Sequence, residues 1–214
     1  MGREGVGLAA ESADMSEQRQ TRNDDLESVL EPISGLDEVL NGVLDPSLGD
    51  TNQTRSELAE AESSLLVHLE LYQWLGNEAG MSTAYLNLGI VYQALGDLDP
   101  AEAMYTEALM LDSSLGRTES MAVAAGNLGR VYQTRGDLAQ ASAMHEKALE
   151  LHEALGRKEG MAAAYGNLGL VHRARGNLAQ AAAMYKRSLG LFRTAGAAAQ
   201  VRQVQRLLDR LTVS

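Results

Sequence analysis

The sequence predicts an all-α fold: a superhelical solenoid of stacked antiparallel helical hairpins, an α-α superhelix. Three observations predict it: a 40-residue internal period, apolar residues three and four apart within each period, and glycines that end each apolar run. Met81, Met121 and Met161 open three blocks, within which YLNLGIVYQALGDL (85–98), AGNLGRVYQTRGDL (125–138) and YGNLGLVHRARGNL (165–178) align without a gap. Residues 121–160 and 161–200 share 19 of 40 positions, so the blocks are copies of one structural unit. A single helical hairpin cannot bury its own apolar face, and stacking on its neighbours supplies the missing surface.

In chain order, residues 1–23 hold few large apolar groups and many charges, the composition of a disordered acidic tail. Residues 24–55 read as an irregular segment with an amphipathic helical stretch. Leu26, Val29, Leu30, Ile33, Leu36, Val39, Leu40, Val43 and Leu44 form its stripe, interrupted by Pro32 and Gly35. Residues 56–80 read as a degenerate half or full repeat, since 56–75 align with the second helix of the unit and Ala61 matches Ala101. Repeats follow at 81–120, 121–160 and 161–197.

In the first of these, a helix over 81–95 places Ala84, Leu88, Val91, Tyr92 and Leu95 on one face. Gly96 stops it, and Asp97 is expected to cap the next helix with its side chain, a pair repeated at Gly136-Asp137 and Gly176-Asn177. The second helix runs through Ala101, Tyr105, Ala108, Leu109 and Leu111 to Gly116, matched by Gly156 and Gly196. Ala101, Ala141 and Ala181 recur at one position, where a small side chain lets two helices approach closely. Residues 198–214 read as a C-terminal capping helix with Val201, Val204, Leu207, Leu208 and Leu211 along one side.

Tyr85, Leu88, Gly89, Tyr92, Ala101, Tyr105 and Ala108 carry a resemblance: their spacing is similar to the tetratricopeptide repeat signature. The following copies offer Ala125, Leu128, Gly129, Tyr132, Ala141, His145 and Ala148, then Tyr165, Leu168, Gly169, His172, Ala181, Tyr185 and Ser188. The 40-residue period resembles the longer-helix variant of kinesin light chains and Pins-type G-protein-signalling scaffolds. The resemblance implies a non-enzymatic scaffold for protein–protein interaction.

The residues themselves carry little catalytic chemistry. Without cysteine there are no disulfides, thiolate metal sites or cysteine nucleophiles. No HExxH, GxSxG or GxxxxGK[ST] motif occurs. His145 takes the slot of Tyr105 and Tyr185, and His172 that of Tyr92 and Tyr132, which reads as histidine packed in a core. Met104, Met144 and Met184 likewise read as gap-filling. No enzyme, metal or cofactor is expected.

Asn87, Asn127 and Asn167 are the informative residues, recurring just before each Leu-Gly pair on the first helix of the unit. Asparagine is a poor helix former, and its carboxamide offers a donor and an acceptor to the backbone of an extended peptide. In the resembled family, asparagines at this position line a peptide groove. Helical geometry adds Leu86, Ile90, Gln93 and Ala94, then Gly126, Arg130, Gln133 and Thr134, then Gly166, Leu170, Arg173 and Ala174. Gly126 and Gly166 leave room for a close backbone, with tight hairpin packing as the competing explanation. Arg130 and Arg173 favour an acidic segment.

The net charge of −11 conceals a gradient: residues 1–60 carry −10, 61–120 carry −8, and 161–214 carry +7. The expected partner is therefore another protein, bound through an extended or helical peptide. The alternatives are head-to-tail self-association, or a groove occluded by the acidic segment at 24–44. Nucleic acid is not expected, because the basic end lacks interleaved aromatic residues. No run of about 18 apolar residues suggests a membrane span, and no secretory signal is apparent, so a cytoplasmic location is expected and the Asn52-Gln53-Thr54 sequon carries no weight.

Overall fold

The computed structural model describes residues 51–212, so the expectations for the tail at 1–23 and for residues 24–50 lie outside the described part. Eight helices account for it: α1 (Thr51–Leu75), α2 (Glu78–Leu95), α3 (Leu98–Leu115), α4 (Thr118–Arg135), α5 (Leu138–Ala154), α6 (Lys158–Ala174), α7 (Leu178–Ala195) and α8 (Ala198–Thr212). There is no strand among the described residues. The molecule is an all-α solenoid of helical hairpins, as the period predicts.

Glycine chemistry sets the turns. Gly76, Gly96, Gly116, Gly136, Gly156, Gly176 and Gly196, spaced 20 apart, all hold φ between 65° and 87°, where a Cβ is costly. At Gly96 the backbone N–H donates to the Gln93 carbonyl at 3.2 Å and that of Asp97 donates to Tyr92 at 2.9 Å. This is a Schellman closure of the preceding helix. The same pair of bonds recurs at each of the seven turns.

Two local expectations are corrected. Asp97, Asp137 and Asn177 stand at the N-cap positions, but their side chains make no capping hydrogen bond. Asp97 has φ −83° and ψ 77°, and the Leu98 N–H donates back to the Gly96 carbonyl at 3.0 Å. That is an inverse γ-turn, which already engages the first free N–H of α3. The acidic side chains at 97 and 137 then act through charge at the helix N-terminus. Among the described residues only Asn77 caps by side chain, its Oδ1 accepting from the Gly80 N–H at 2.9 Å. The second correction concerns α1. The period places a turn at Ser56-Glu57, yet α1 runs straight through it from Thr51, taking in residues 51–55 of the segment read as irregular. Serine there supplies no left-handed residue to break the helix.

Every helix packs on the ones before and after it, and contact within the hairpins α2–α3, α4–α5 and α6–α7 is more extensive than contact between hairpins. Ala101, Ala141 and Ala181 are fully buried where the paired helices meet. The closest approach is at Gly89, Gly129 and Gly169: a Cβ at each would lie 2.5 Å from the ring of Tyr105, His145 or Tyr185. The Leu-Gly pair of each repeat is thus a knob beside a flat bed for an aromatic ring.

Hairpins are tied together by a second tyrosine column. The Tyr92 hydroxyl donates to Glu62 Oε1 at 2.8 Å, and the Tyr132 hydroxyl donates to Glu102 Oε1 at 2.6 Å, in both cases 30 residues back. Burial, then the carboxylate partner, raises both phenols to about 12. The hydrogen bond from Tyr132 and the ion pair with Arg135 hold Glu102 below the usual carboxylate range against its own burial. In the third rung both partners change together: His172 replaces the tyrosine and Ser142 the glutamate, and Ser142 donates to Glu146 instead.

α8 packs on α7. Its Val201, Val204, Leu207, Leu208 and Leu211 pack on Tyr185, Leu189 and Phe192 of α7. No helix among the described residues is long and apolar enough to cross a membrane.

Candidate peptide-binding face of the first helices

The first helices of successive hairpins lie nearest one another. α2 meets α4 and α4 meets α6, whereas no comparable contact joins α3 to α5 or α5 to α7. Elements on the inside of a bend crowd more than those outside, so α2, α4 and α6 form the inner wall of the array. Their solvent-facing rows are Thr83, Asn87, Ile90 and Ala94; Val123, Asn127, Arg130 and Thr134; and Ala163, Asn167, Leu170 and Ala174.

All three asparagines lie in these rows. Each is half-buried, and none of their carboxamides makes a hydrogen bond among the described residues. A Cβ on Gly126 would meet nothing within 4 Å, and one on Gly166 only Ser188 Oγ at 3.5 Å. Tight hairpin packing therefore does not account for Gly126, and space lies open beside Asn127.

The other sequence-derived candidates divide. Arg130 is exposed on the wall, and its charge acts on the buried rings of Tyr105 and His145. Arg173 is exposed and plays the same part toward Tyr185, opposing the upward push of burial on that phenol. Gln93 is engaged inside the fold, where its Oε1 accepts from the Tyr105 hydroxyl at 2.9 Å. Gln133 is half-buried at the equivalent position below His145, neither of whose ring nitrogens has a hydrogen-bond partner. Burial foremost, then Arg130, pushes the His145 imidazole down to about 4, so it is neutral at physiological pH. Leu86 and Ile90 lean onto the cluster of Ala101, Tyr105, Leu128 and Val131, and Leu170 onto that of Tyr185 and Leu189. They form apolar shoulders to the wall.

Sequence reasoning missed Thr83, Val123 and Ala163, one turn before each asparagine. Val123 is 44% exposed. The i−4 spacing from the asparagines was the available signal. Among the described residues, no group of three or more His, Cys, Asp or Glu could hold a metal ion.

A family model described as tetratricopeptide repeat matches residues 43–113 and 120–194. No curated protein matches the sequence. Among solved structures, BtubC (BKLC) from P. vanneervenii superposes with a TM-score of 0.66 at 19% identity, over 96% of this chain and 89% of that one. A kinesin light chain protein of nearly identical TPR-like repeats from Podospora anserina gives 0.57 at 18%, over 75% and 88%. The N-terminal domain of stress-induced protein-1 from C. elegans gives 0.48 at 22%, over 60% and 98%. For the first two, at these identities, the likeness is one of fold, and it joins the family match over both halves of the array. With its glycine-closed hairpins and ring-on-glycine packing, the chain belongs to the tetratricopeptide repeat family, whose fold is generally a scaffold for protein–protein interaction.

Proposed function

We propose that the protein is a non-enzymatic scaffold that binds a peptide segment of another protein along the inner wall formed by α2, α4 and α6. The observation that carries this reading is the row of Asn87, Asn127 and Asn167, three carboxamides in equivalent places, partly solvent-facing and free of internal hydrogen bonds. Each presents a donor and an acceptor, the complement of a peptide unit. Gly126 supports it by leaving room for a close backbone. Arg130 and Arg173 bias the choice toward acidic side chains, because charge-assisted hydrogen bonds to carboxylates are the stronger kind. Gln93 and Gln133 serve by seating the rings behind the wall, and Leu86, Ile90 and Leu170 by giving apolar side chains of the ligand somewhere to rest.

Affinity capture with wild type beside the Asn127→Ala/Asn167→Ala double variant tests this. A captured protein should bind the wild type at least tenfold more tightly, since two lost hydrogen bonds cost about 1 kcal/mol each. Equal affinity in a folded double variant overturns the reading.

A further inference from the structure

On the opposite side of the array, two neighbouring second helices face solvent with rows of opposite charge. α5 exposes Glu146, Glu150 and Glu153, while α7 exposes Lys186, Arg187 and Arg193. Glu146 and Lys186 hold one position of the 40-residue unit, and Glu153 and Arg193 another. Glu150, Glu153, Lys186 and Arg193 make no ion pair among the described residues, and Glu146 only accepts a hydrogen bond from Ser142. Arg187 lies over the Tyr165 ring at 5.5 Å and is engaged within its own chain.

On α5 the glutamates, four and three residues apart, repel one another, with half-buried Lys147 as the nearby cation. On α7 Lys186 and Arg193 stand two turns apart with no acidic side chain between them. Small side chains flank these charges: Gly190 lies between Lys186 and Arg193, and Ala143 and Ala183 stand one turn before Glu146 and Lys186, all exposed. A Cβ at Gly190 would meet nothing within 4 Å, so no internal contact calls for glycine in mid-helix there.

We infer that this face docks a second copy of the same chain about a two-fold axis parallel to α5 and α7 and midway between them. That operation lays α5 of one protomer along α7 of its partner without shifting the register. Glu146 then meets a lysine and Glu153 an arginine, twice over by symmetry. A two-fold axis across the helices would set glutamate row on glutamate row, so charge selects the direction of the axis. The contact is isologous and closes at two copies, unlike a head-to-tail arrangement. It also leaves the asparagine wall open in both protomers.

Sedimentation equilibrium of the full chain tests the inference. Exposed ion pairs are individually weak and screened, so a dimer is expected at roughly 0.1–1 mM protein in low salt and is lost by about 0.5 M salt. Glu146→Lys/Glu153→Lys should be monomeric, and Lys186→Glu/Arg193→Glu likewise. An equimolar mixture of the two should associate at least tenfold more tightly than either alone, because one is then basic at 146, 153, 186 and 193 and the other acidic at all four. Helicity by circular dichroism checks folding, and Glu146→Gln/Glu153→Gln is the milder substitute if a reversal disturbs it. A wild type that stays monomeric at 1 mM in low salt, a dimer that survives both reversals, or a mixture that fails to associate overturns the inference.

Discussion

His145 fills a slot that tyrosine occupies in the hairpins on either side. The slot is closed, and burial forces the imidazole to be neutral, with its pKa near 4 against an ordinary value of 6.5. The sign follows from linkage: the unfolded chain takes up a proton below pH 6.5 that the folded chain refuses until about pH 4. This neutral histidine is therefore harmless above pH 6.5, and stability is lost as the pH falls through the window below it. The loss approaches about 3 kcal/mol once both values are passed. His145→Tyr restores the residue of the flanking repeats and removes this contribution. Urea unfolding at pH 7.5 and 4.5 should show the variant gaining about 2 kcal/mol on wild type at the lower pH. An equal acid penalty in both proteins would place the titrating group elsewhere.

Between elements, approach distance decides what each glycine does. Gly89 brings α2 within reach of α3, and a methyl group there would sit 2.5 Å from the Tyr105 ring. Gly89→Ala should destabilise by roughly 1–3 kcal/mol through overpacking. Gly126 lies on the same type of helix but faces open space. Gly126→Ala should stabilise by up to about 1 kcal/mol, since glycine is the poorer helix former. Thermal or urea unfolding of the two variants reads this contrast, and a common sign for both would contradict it. The sequence pattern exposes the seven turn glycines, because only glycine readily takes the conformation a Schellman closure needs. It placed Gly89 in the repeat signature and Gly126 in the groove, but left hairpin packing open as the explanation of Gly126, since what stands opposite a mid-helix glycine is not written in its own stretch of chain. For the same reason Gln93 read as a groove residue. Its tie to Tyr105 runs to the neighbouring helix, invisible in the spacing of its own.

On the scale of the array, α8 departs from the repeats at positions where they carry small residues. At α8, Arg202 takes the place of buried Ser82, Ala122 and Ala162, and Asp209 that of Gly89, Gly129 and Gly169. Both positions therefore carry a charged side chain in α8 where the repeats carry a small one. Leu207 stands in the asparagine position and packs inward, so the ladder stops at Asn167. Deleting residues 198–214 would bare Leu189 and Phe192, now 4% and 7% exposed, and discard the apolar side of α8. With roughly 1.5–3 kcal/mol for each large side chain returned to water, the melting temperature should drop by about 10 °C or more. Calorimetry of the truncated chain measures it, and an unchanged transition would mean that α8 carries no stability.

The sequence by itself determined the all-α class, the hairpin repeat, its family and the turn positions, because each is written in local terms: a period, a helical spacing, a glycine where φ must be positive. Tertiary structure alone decided which polar groups are left without an internal hydrogen bond. Whether a carboxamide is spent on a neighbouring ring, as at Gln93, or stands unclaimed, as at Asn127, depends on the helix packed against it. So does the meeting of Tyr132 with Glu102 across 30 residues. Contacts of that kind are fixed by how close two helices come, a distance no single stretch of chain encodes.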